Sequence, residues 1–305
     1  MKTSTFRGRQ TVTIQAPIAQ VWEYAMDVAK VPEYNPRVGR VESGSGDGQR
    51  AAGVRYRCHL VGGAHHCIEE DVEIVPMERL VTRMVDDTLG LTARLKDYTV
   101  ETTLAELDAR TTKVTMSHFY ATPTLGARVV DWMARDTIAR NTEATLLMLK
   151  AQIESAPEDG AREAMGLLHR PAFVSVIVVF LALAAILSLT VGGALVAPHS
   201  PLSMLWRINP HAQLGFAALG TLGVALMIVL AALSSLVALG LWVGTRWGWW
   251  LAVTGLVLNA VGDLVRALTV EPRAALGVPV VAAVLLLLMR TNVRRWCSLD
   301  WGSAS

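Results

Sequence analysis

The sequence predicts an α+β domain followed by an all-α bundle of four membrane-spanning helices. Two observations support this division. Residues 1–171 hold 44 of the 54 charged side chains, whereas residues 172–289 hold six. The first part alternates polar and apolar residues as half-buried strands do, and the second is a succession of long apolar segments. The 305 residues therefore form two domains of different kinds.

The first domain is predicted to begin with a strand and to end with a long helix. Residues 10–15 alternate in the manner of a strand, and Pro17 marks the start of a helix after it. A second short helix or turn is expected around 31–35. From Thr124 to Ser155 the apolar side chains recur at helical spacing. The segments between read as six strands of an antiparallel sheet, at about 38–44, 53–61, 65–75, 79–87, 91–105 and 111–122.

Several stretches of this first part resemble a known superfamily. VTIQAPIAQVWEYAMDVAKVPEYNPRVGRVE, with the later pieces YTVETTLAEL, TKVTMSHFYATP and NTEATLLMLKAQIES, is similar to the START-like (SRPBCC) superfamily in its polyketide-cyclase/dehydrase and lipid-transport branch. The resemblance covers about residues 8–155, and we assign residues 1–155 to this domain. It implies the helix-grip fold, in which a curved antiparallel sheet wraps around the long C-terminal helix. It also implies a mainly apolar cavity for a lipid, polyketide or other hydrophobic ligand, and no shared catalytic residues.

Strand alternation indicates which side chains face that cavity. Glu70 and His118 are the candidates for proton transfer, because a carboxylate and an imidazole in an apolar cavity can have shifted pKa values. In the favoured alternative they hydrogen-bond to each other, to water or to a ligand head group, and no residue is catalytic. The expected ligand-binding residues are Tyr56, Leu60, Ile68, Glu70, Met84, Tyr98, Met116, His118 and Tyr120.

The hairpin around Gly62-Gly63 allows two registers. A two-residue turn would set Cys58 opposite Cys67, but it would put apolar residues of the first strand on the same face as Glu69 and Asp71. A three-residue turn keeps the apolar residues together and places the cysteines on opposite faces, and it is favoured for that reason. No metal site is therefore expected, and no cofactor is predicted, since the chain shows no nucleotide-binding motif.

Four apolar segments are long enough to cross a bilayer, which takes about 20 residues. A flexible linker, 156–171, is expected before the membrane domain, 172–290, and a cytoplasmic tail, 291–305, after it. Basic residues near the segment ends favour an integral inner-membrane protein with both termini cytoplasmic, because Lys and Arg resist translocation. The N-terminus has no apolar run of signal-peptide length, and three cysteines fit a reducing compartment. The predicted helices span about 172–196, 214–243, 247–268 and 272–289.

Three polar residues interrupt the third apolar segment on one helical face: Asn259, Asp263 and Arg266. We interpret them as a structural polar seam, in which Asn259 bonds to a neighbouring helix and Arg266 pairs with Asp263 while reaching the interface. A transport site and recognition of a head group or partner are the alternatives.

The sequence therefore predicts membrane-anchored binding or transfer of a hydrophobic small molecule or lipid at the cytoplasmic membrane surface. A membrane-tethered polyketide cyclase or dehydratase is the alternative enzyme, and a ligand sensor coupled to the bundle is the third hypothesis. Net charges of −2 for residues 1–171 and +4 for residues 172–305 leave no basic patch of the size that nucleic acids need. A protein partner is left open.

Overall fold

The computed structural model describes residues 4–43, 48–197, 199–207, 215–216, 218–269 and 277–297. The chain divides into two compact units, Met1–His169 and Arg170–Ser305. Three predicted features lie outside the described residues: the start of the second apolar segment at 214, the start of the fourth at 272, and the tail beyond 297.

Seven strands of the first unit form one antiparallel sheet, in the order β1-β7-β6-β5-β4-β3-β2. From β3 to β7 each strand pairs with its predecessor in sequence, and β1 pairs with β7, so that β1 and β2 are the two edges of the sheet. The strands are β1 (Thr5–Ile14), β2 (Val38–Ser43), β3 (Arg55–Leu60), β4 (His66–Val75), β5 (Arg79–Asp87), β6 (Lys96–Asp108) and β7 (Thr111–Ala121).

Helices of the first unit confirm the predicted α+β class. The long helix α4 begins after Thr124, whose side chain accepts a hydrogen bond from the Ala127 N–H at 3.1 Å, and it buries Leu146 and Leu149 against the inner face of the sheet. The helices are α1 (Ile18–Met26), a 3-10 turn (Val28–Lys30), α2 (Val31–Tyr34), α3 (Leu91–Arg94), α4 (Leu125–Ile153) and α5 (Pro157–Leu168).

The start of the predicted strand 91–105 is helical instead. Gly90 has a φ of 75°, and the Asp87 carboxylate accepts hydrogen bonds from the N–H groups of Leu91 at 2.9 Å and Thr92 at 2.7 Å. A carboxylate that satisfies the first free N–H groups caps a helical turn, so the chain forms α3 before it enters β6.

The hairpin between β3 and β4 has the register that the sequence analysis did not favour. Cys58 lies opposite Cys67, and the Leu60 N–H donates to the His65 carbonyl at 2.9 Å, which leaves residues 61–64 as the connection. The favoured three-residue turn is therefore wrong. That prediction assumed that carboxylates avoid the inner face, whereas Arg50, which belongs to neither strand, forms an ion pair there with Asp71.

The predicted flexible linker contains a helix. Residues 157–168 form α5, which packs on α4 through Ala144, Ala164 and Leu167. Gly160 lies at the crossing of the two helices, where a Cβ would overlap with that of Ala151. The segment is helical because the apolar face of α5 packs against α4. Only the short stretch 169–171 is left as a connection to α6.

Gly160→Ala is expected to loosen α5 from α4. Its Cβ would overlap with the Ala151 side chain and come within 3.2 Å of the Leu147 carbonyl oxygen, and overpacking of this kind costs about 1–3 kcal/mol. Hydrogen exchange of the α5 amides in the full chain should therefore accelerate. Gly166→Ala in the same helix is the control, because nothing lies within 4 Å of its Cβ. Equal exchange in the two variants would contradict the close crossing.

The second unit has three described helices that are long and apolar enough to cross a membrane. These are α6 (Ala172–Val196), α7 (Thr221–Val243) and α8 (Arg246–Thr269). A 3-10 helix, Pro201–Arg207, follows α6, and the apolar helix α9 (Gly277–Leu288) precedes the short α10 (Thr291–Trp296). α9 has 12 described residues, so the fourth crossing stays a prediction. The predicted segment 214–243 is interrupted by a turn at Gly220, whose φ is 55°: residues 215–216 and 218 are helical, and α7 begins at Thr221.

The turn between α7 and α8 brings two helix ends into backbone contact. A Cβ on Gly248 would lie 2.6 Å from the Cα of Gly240, so only glycine fits the crossing. The fully buried Thr245 hydroxyl donates to the Gly240 carbonyl at 3.1 Å and accepts from the Gly248 N–H at 3.2 Å. The indole of Trp249 then donates to the Leu288 carbonyl at 3.0 Å, which joins α8 to the end of α9.

The polar residues of α8 are arranged differently from the prediction. The Asn259 side-chain amide donates to the Asp263 carboxylate at 3.1 Å, within the same helix and not to a neighbouring one. Asp263 in turn lies directly beside Gly277, at the start of α9, while Arg266 is exposed. A carboxylate at the positive end of a helix is a favourable arrangement, which fits a structural role for this group. That role stays a prediction.

Candidate functional site

The candidate site is the inner face of the sheet where it meets α4. Seven of the nine predicted ligand-binding residues belong to this face by strand alternation: Tyr56, Leu60, Met84, Tyr98, Met116, His118 and Tyr120. Of these, Tyr56, Tyr98, His118 and Tyr120 are buried, and the others are half-buried. These seven side chains are mainly apolar, with three phenol hydroxyls and one imidazole.

Ile68 and Glu70 lie on the opposite face of the sheet. Since Cys67 and Glu69 share the inner face with Cys58, the residues between and after them must point outward. The Glu70 carboxylate accepts hydrogen bonds from Arg55 at 2.8 Å and Arg83 at 3.1 Å, and these arginines hold its pKa below the ordinary value. The prediction that Glu70 faces the cavity as a candidate acid is wrong, and the shifted register is the reason.

His118 is held by hydrogen bonds to both ring nitrogens. Its Nδ1 lies 3.0 Å from the Tyr98 hydroxyl, and its Nε2 lies 2.7 Å from the Thr142 hydroxyl of α4. The Thr142 hydroxyl also lies 2.9 Å from the Ile138 carbonyl, to which it donates its single hydrogen. Nε2 must then carry the proton of a neutral His118, and Nδ1 accepts from Tyr98. Burial lowers the pKa of His118 to about 4, so the ring is neutral at pH 7.

Tyr120 continues this polar group towards the surface. Its ring stacks on that of Tyr98 with centroids 5.2 Å apart, and its hydroxyl donates to the Asp131 carboxylate of α4 at 2.6 Å. Burial, with the hydrogen bond to Asp131, raises the pKa of Tyr120. Arg7 of β1 lies 3.6 Å from the same carboxylate and covers the Tyr120 ring at 5.2 Å.

A narrow cleft lies between β1 and α4 beside these side chains. It encloses about 30 Å³, whereas pockets for drug-sized ligands enclose roughly 300–1,000 Å³. Arg7 and Arg135 border it, which favours an anionic group at this position, whereas Arg9 pairs with Ser117 on the outer face of β7. The lining residues are Arg7, Gly8, Arg9, Gln10, His118, Tyr120, Arg135, Ile138 and Ala139.

A second polar group on the inner face was missed by the sequence analysis. Arg50 donates to the Asp71 carboxylate at 2.8 Å and to the Tyr56 hydroxyl, and its Nε donates to the Ala25 carbonyl at 3.0 Å. Thr82 donates to Asp71 at 2.8 Å. Burial alone would lower the pKa of Arg50, but the neighbouring Tyr56, Tyr34 and Asp71 raise it well above the ordinary value. The signal that could have revealed this group was the rejected register, which places Asp71 inward.

The stability of the first unit is expected to fall on acidification because of His118. The folded pKa of about 4 lies below the ordinary 6.5, so the unfolded chain binds the proton more tightly. The stabilisation is complete above pH 6.5, is lost progressively as the pH falls towards 4, and amounts to on the order of 3 kcal/mol. In His118→Gln the melting temperature should change less between pH 4 and pH 7 than in the wild type, as measured by calorimetry on the full chain. The exposed His169→Gln is the control, and parallel curves for both variants would contradict this account.

Comparison with known proteins gives the first unit a family. The sequence model of the family described as polyketide cyclase / dehydrase and lipid transport matches residues 5–154. Comparison with curated proteins gave no match. Among solved structures, the chain is similar to the ZhuI aromatase/cyclase from Streptomyces sp. R1128, at 20% identity over 49% of this chain and 94% of that chain, with a TM-score of 0.41.

Two further solved structures are similar over the same part of the chain. A START superfamily protein from Mycobacterium smegmatis is 15% identical over 50% of this chain and 99% of that chain, with a TM-score of 0.38. The di-domain ARO/CYC BexL from the BE-7585A biosynthetic pathway is 18% identical over 48% of this chain and 46% of that chain, with a TM-score of 0.40. The family-model match assigns residues 5–154 to the polyketide cyclase / dehydrase and lipid transport family, and the same chain continues into helices apolar enough to cross a membrane.

Proposed function

We propose that this protein binds a hydrophobic small molecule or lipid in its START-like domain and carries it to or from the membrane in which its helices anchor it. The observation that carries the proposal is the fusion itself. A domain of a hydrophobic-ligand family is continuous with helices such as α6, whose side chains Val176, Phe180 and Leu183 are 60–68% exposed. Such helices need lipid around them, and an apolar ligand partitions into the same lipid.

Basic residues support a cytoplasmic position for the domain. Arg170 precedes α6, Arg246 is the first residue of α8, and Arg290 and Arg294 follow α9. These positions form one end of an up-and-down bundle, where Trp249 bonds to Leu288. Concentration of arginines at one end favours that end on the inner side of an inner membrane, with four crossings and both termini cytoplasmic.

Ligand entry would require the cleft beside His118 to widen. The N-terminal half of α4 is the element most easily displaced, because it leaves Leu125, Val129 and Trp132 exposed, whereas the C-terminal half buries Leu146 and Leu149. A ligand placed there would contact Tyr98, Tyr120 and Met116 along its apolar length. The arginines at the cleft would meet an acidic head group.

Lipid analysis of the purified full chain tests the proposal. Ala139→Trp places an indole in the cleft, and Ala105→Trp places one on the exposed surface of β6 as the matched control. Lipids around the membrane helices are common to all three proteins. We expect mass spectrometry to find a hydrophobic species that wild type and Ala105→Trp retain and that Ala139→Trp loses. The same lipid content in all three proteins would contradict binding in the cleft.

Cyclase or dehydratase activity is the second candidate function, and the position of His118 favours it. A neutral imidazole hydrogen-bonded between the Tyr98 phenol and the Thr142 hydroxyl, at a cleft, can relay a proton during an aldol-type cyclisation. A bound ligand recovered chemically altered from wild type but unaltered from His118→Gln supports this function. Recovery of unaltered ligand from both supports carriage. The sensor hypothesis stays a prediction.

A further inference from the structure

The pairing of β3 with β4 gathers three metal-ligating side chains on the inner face of the sheet. Cys58 and Cys67 face each other across the two strands, and Glu69 follows Cys67 by two residues, on the same face. The Cys67 thiol lies 3.8 Å from the Glu69 carboxylate, and the three ligand atoms lie within 4.8 Å of one another. We propose that Cys58, Cys67 and Glu69 bind a divalent cation of the zinc class.

The distances suit such an ion. Zinc holds sulfur at about 2.3 Å and carboxylate oxygen at about 2.0–2.2 Å in tetrahedral geometry. Ligand atoms around it are therefore roughly 3.5–4 Å apart, and small side-chain rotations bring the three atoms here to that separation. Two sulfurs and one oxygen are a soft-to-borderline set, which selects zinc over magnesium or calcium. The fourth position stays open for water or a ligand atom.

The three residues are held in a buried and preorganised environment. Cys58 is 1% exposed and Cys67 is 7% exposed, in a core shared with Tyr34 of α2 and Leu149 of α4. Rigid paired strands hold both thiols, which reduces the entropy lost when an ion binds. Glu69 lies opposite Tyr56, whose hydroxyl accepts from Arg50. The Arg50–Asp71 ion pair lies beside the site and adds no net charge to it, so a divalent cation neutralises two of the three negative charges that the ionised ligands carry.

Cobalt binding to the full chain tests the site directly. The detergent-solubilised protein is stripped with a chelator under reducing conditions and titrated with Co²⁺, whose tetrahedral thiolate complexes absorb strongly in the near ultraviolet. We expect one equivalent to bind with this absorption and Zn²⁺ to displace it. Cys58→Ser and Cys67→Ser should abolish the absorption, and Glu69→Gln should weaken Co²⁺ binding by at least about tenfold.

Cys297→Ser is the matched control, because Cys297 is a buried cysteine in the other unit. It should leave the absorption unchanged. A second measurement needs no variant: Zn²⁺ should slow alkylation of Cys58 and Cys67 in the wild type and leave the rate at Cys297 unaltered, as mapped by mass spectrometry. Absence of thiolate-to-cobalt absorption, its persistence in both single variants, or equal alkylation with and without Zn²⁺ would each overturn the proposal.

Discussion

Asp71→Ala is expected to lower the free energy of unfolding of residues 1–169 by about 3–5 kcal/mol, because it leaves the Arg50 charge buried without its counter-ion. The two side chains are 6% and 0% exposed, and Asp71 also accepts hydrogen bonds from Thr82 and Tyr56. Urea unfolding of the full chain measures the loss. Labelling of the buried Cys58 and Cys67 by a maleimide reports the first unit separately from the second.

The control is the exposed ion pair between Asp159 and Arg162 on α5, whose side chains are 80% and 78% exposed. Asp159→Ala should change the urea midpoint little, since solvent screens such pairs. The double variant Arg50→Met with Asp71→Leu should recover much of the stability, because no charge is then left buried. An Asp71→Ala midpoint equal to that of Asp159→Ala would show that the buried pair is energetically unimportant.

The sequence predicted those parts of the first unit that depend on local periodicity. α4 was evident because Thr142, Leu146, Leu149 and Ile153 recur at helical spacing, and all four are buried. Alternation along β6 and β7 likewise placed Tyr98, His118 and Tyr120 on one face, where the structure has them in contact. These patterns need no knowledge of what packs against the element.

The parts that failed depend on residues distant in sequence. The register of β3 with β4 was misjudged because Asp71 is tolerated inside only through Arg50, 21 residues earlier. The partner of His118 on α4, Thr142, was missed because its position depends on how the helix rotates against the sheet. The helix α5 was not predicted because glycine disfavours helices, and the contact of Gly160 with Ala151 that requires a glycine is not visible in the sequence.

Gly248→Ala is expected to destabilise the helical unit by about 1–3 kcal/mol, through overpacking where α7 and α8 meet. Its Cβ would lie 2.6 Å from the Gly240 Cα and 2.9 Å from the Gly240 carbonyl oxygen. Backbone atoms cannot rotate away as a side chain can, so the two helices must separate. The Thr245 hydroxyl would then lose its bonds to both glycines.

Separation of these helices should be visible at Cys297, which is fully buried in the same cluster as Trp249 and Leu288. We expect maleimide to label Cys297 faster in Gly248→Ala than in wild type. Gly255→Ala, two helical turns further along α8, has nothing within 4 Å of its Cβ and should label at the wild-type rate. Because both variants add one methyl group to the same helix, a difference between them isolates the contact with Gly240. Equal labelling of the two would refute the close crossing.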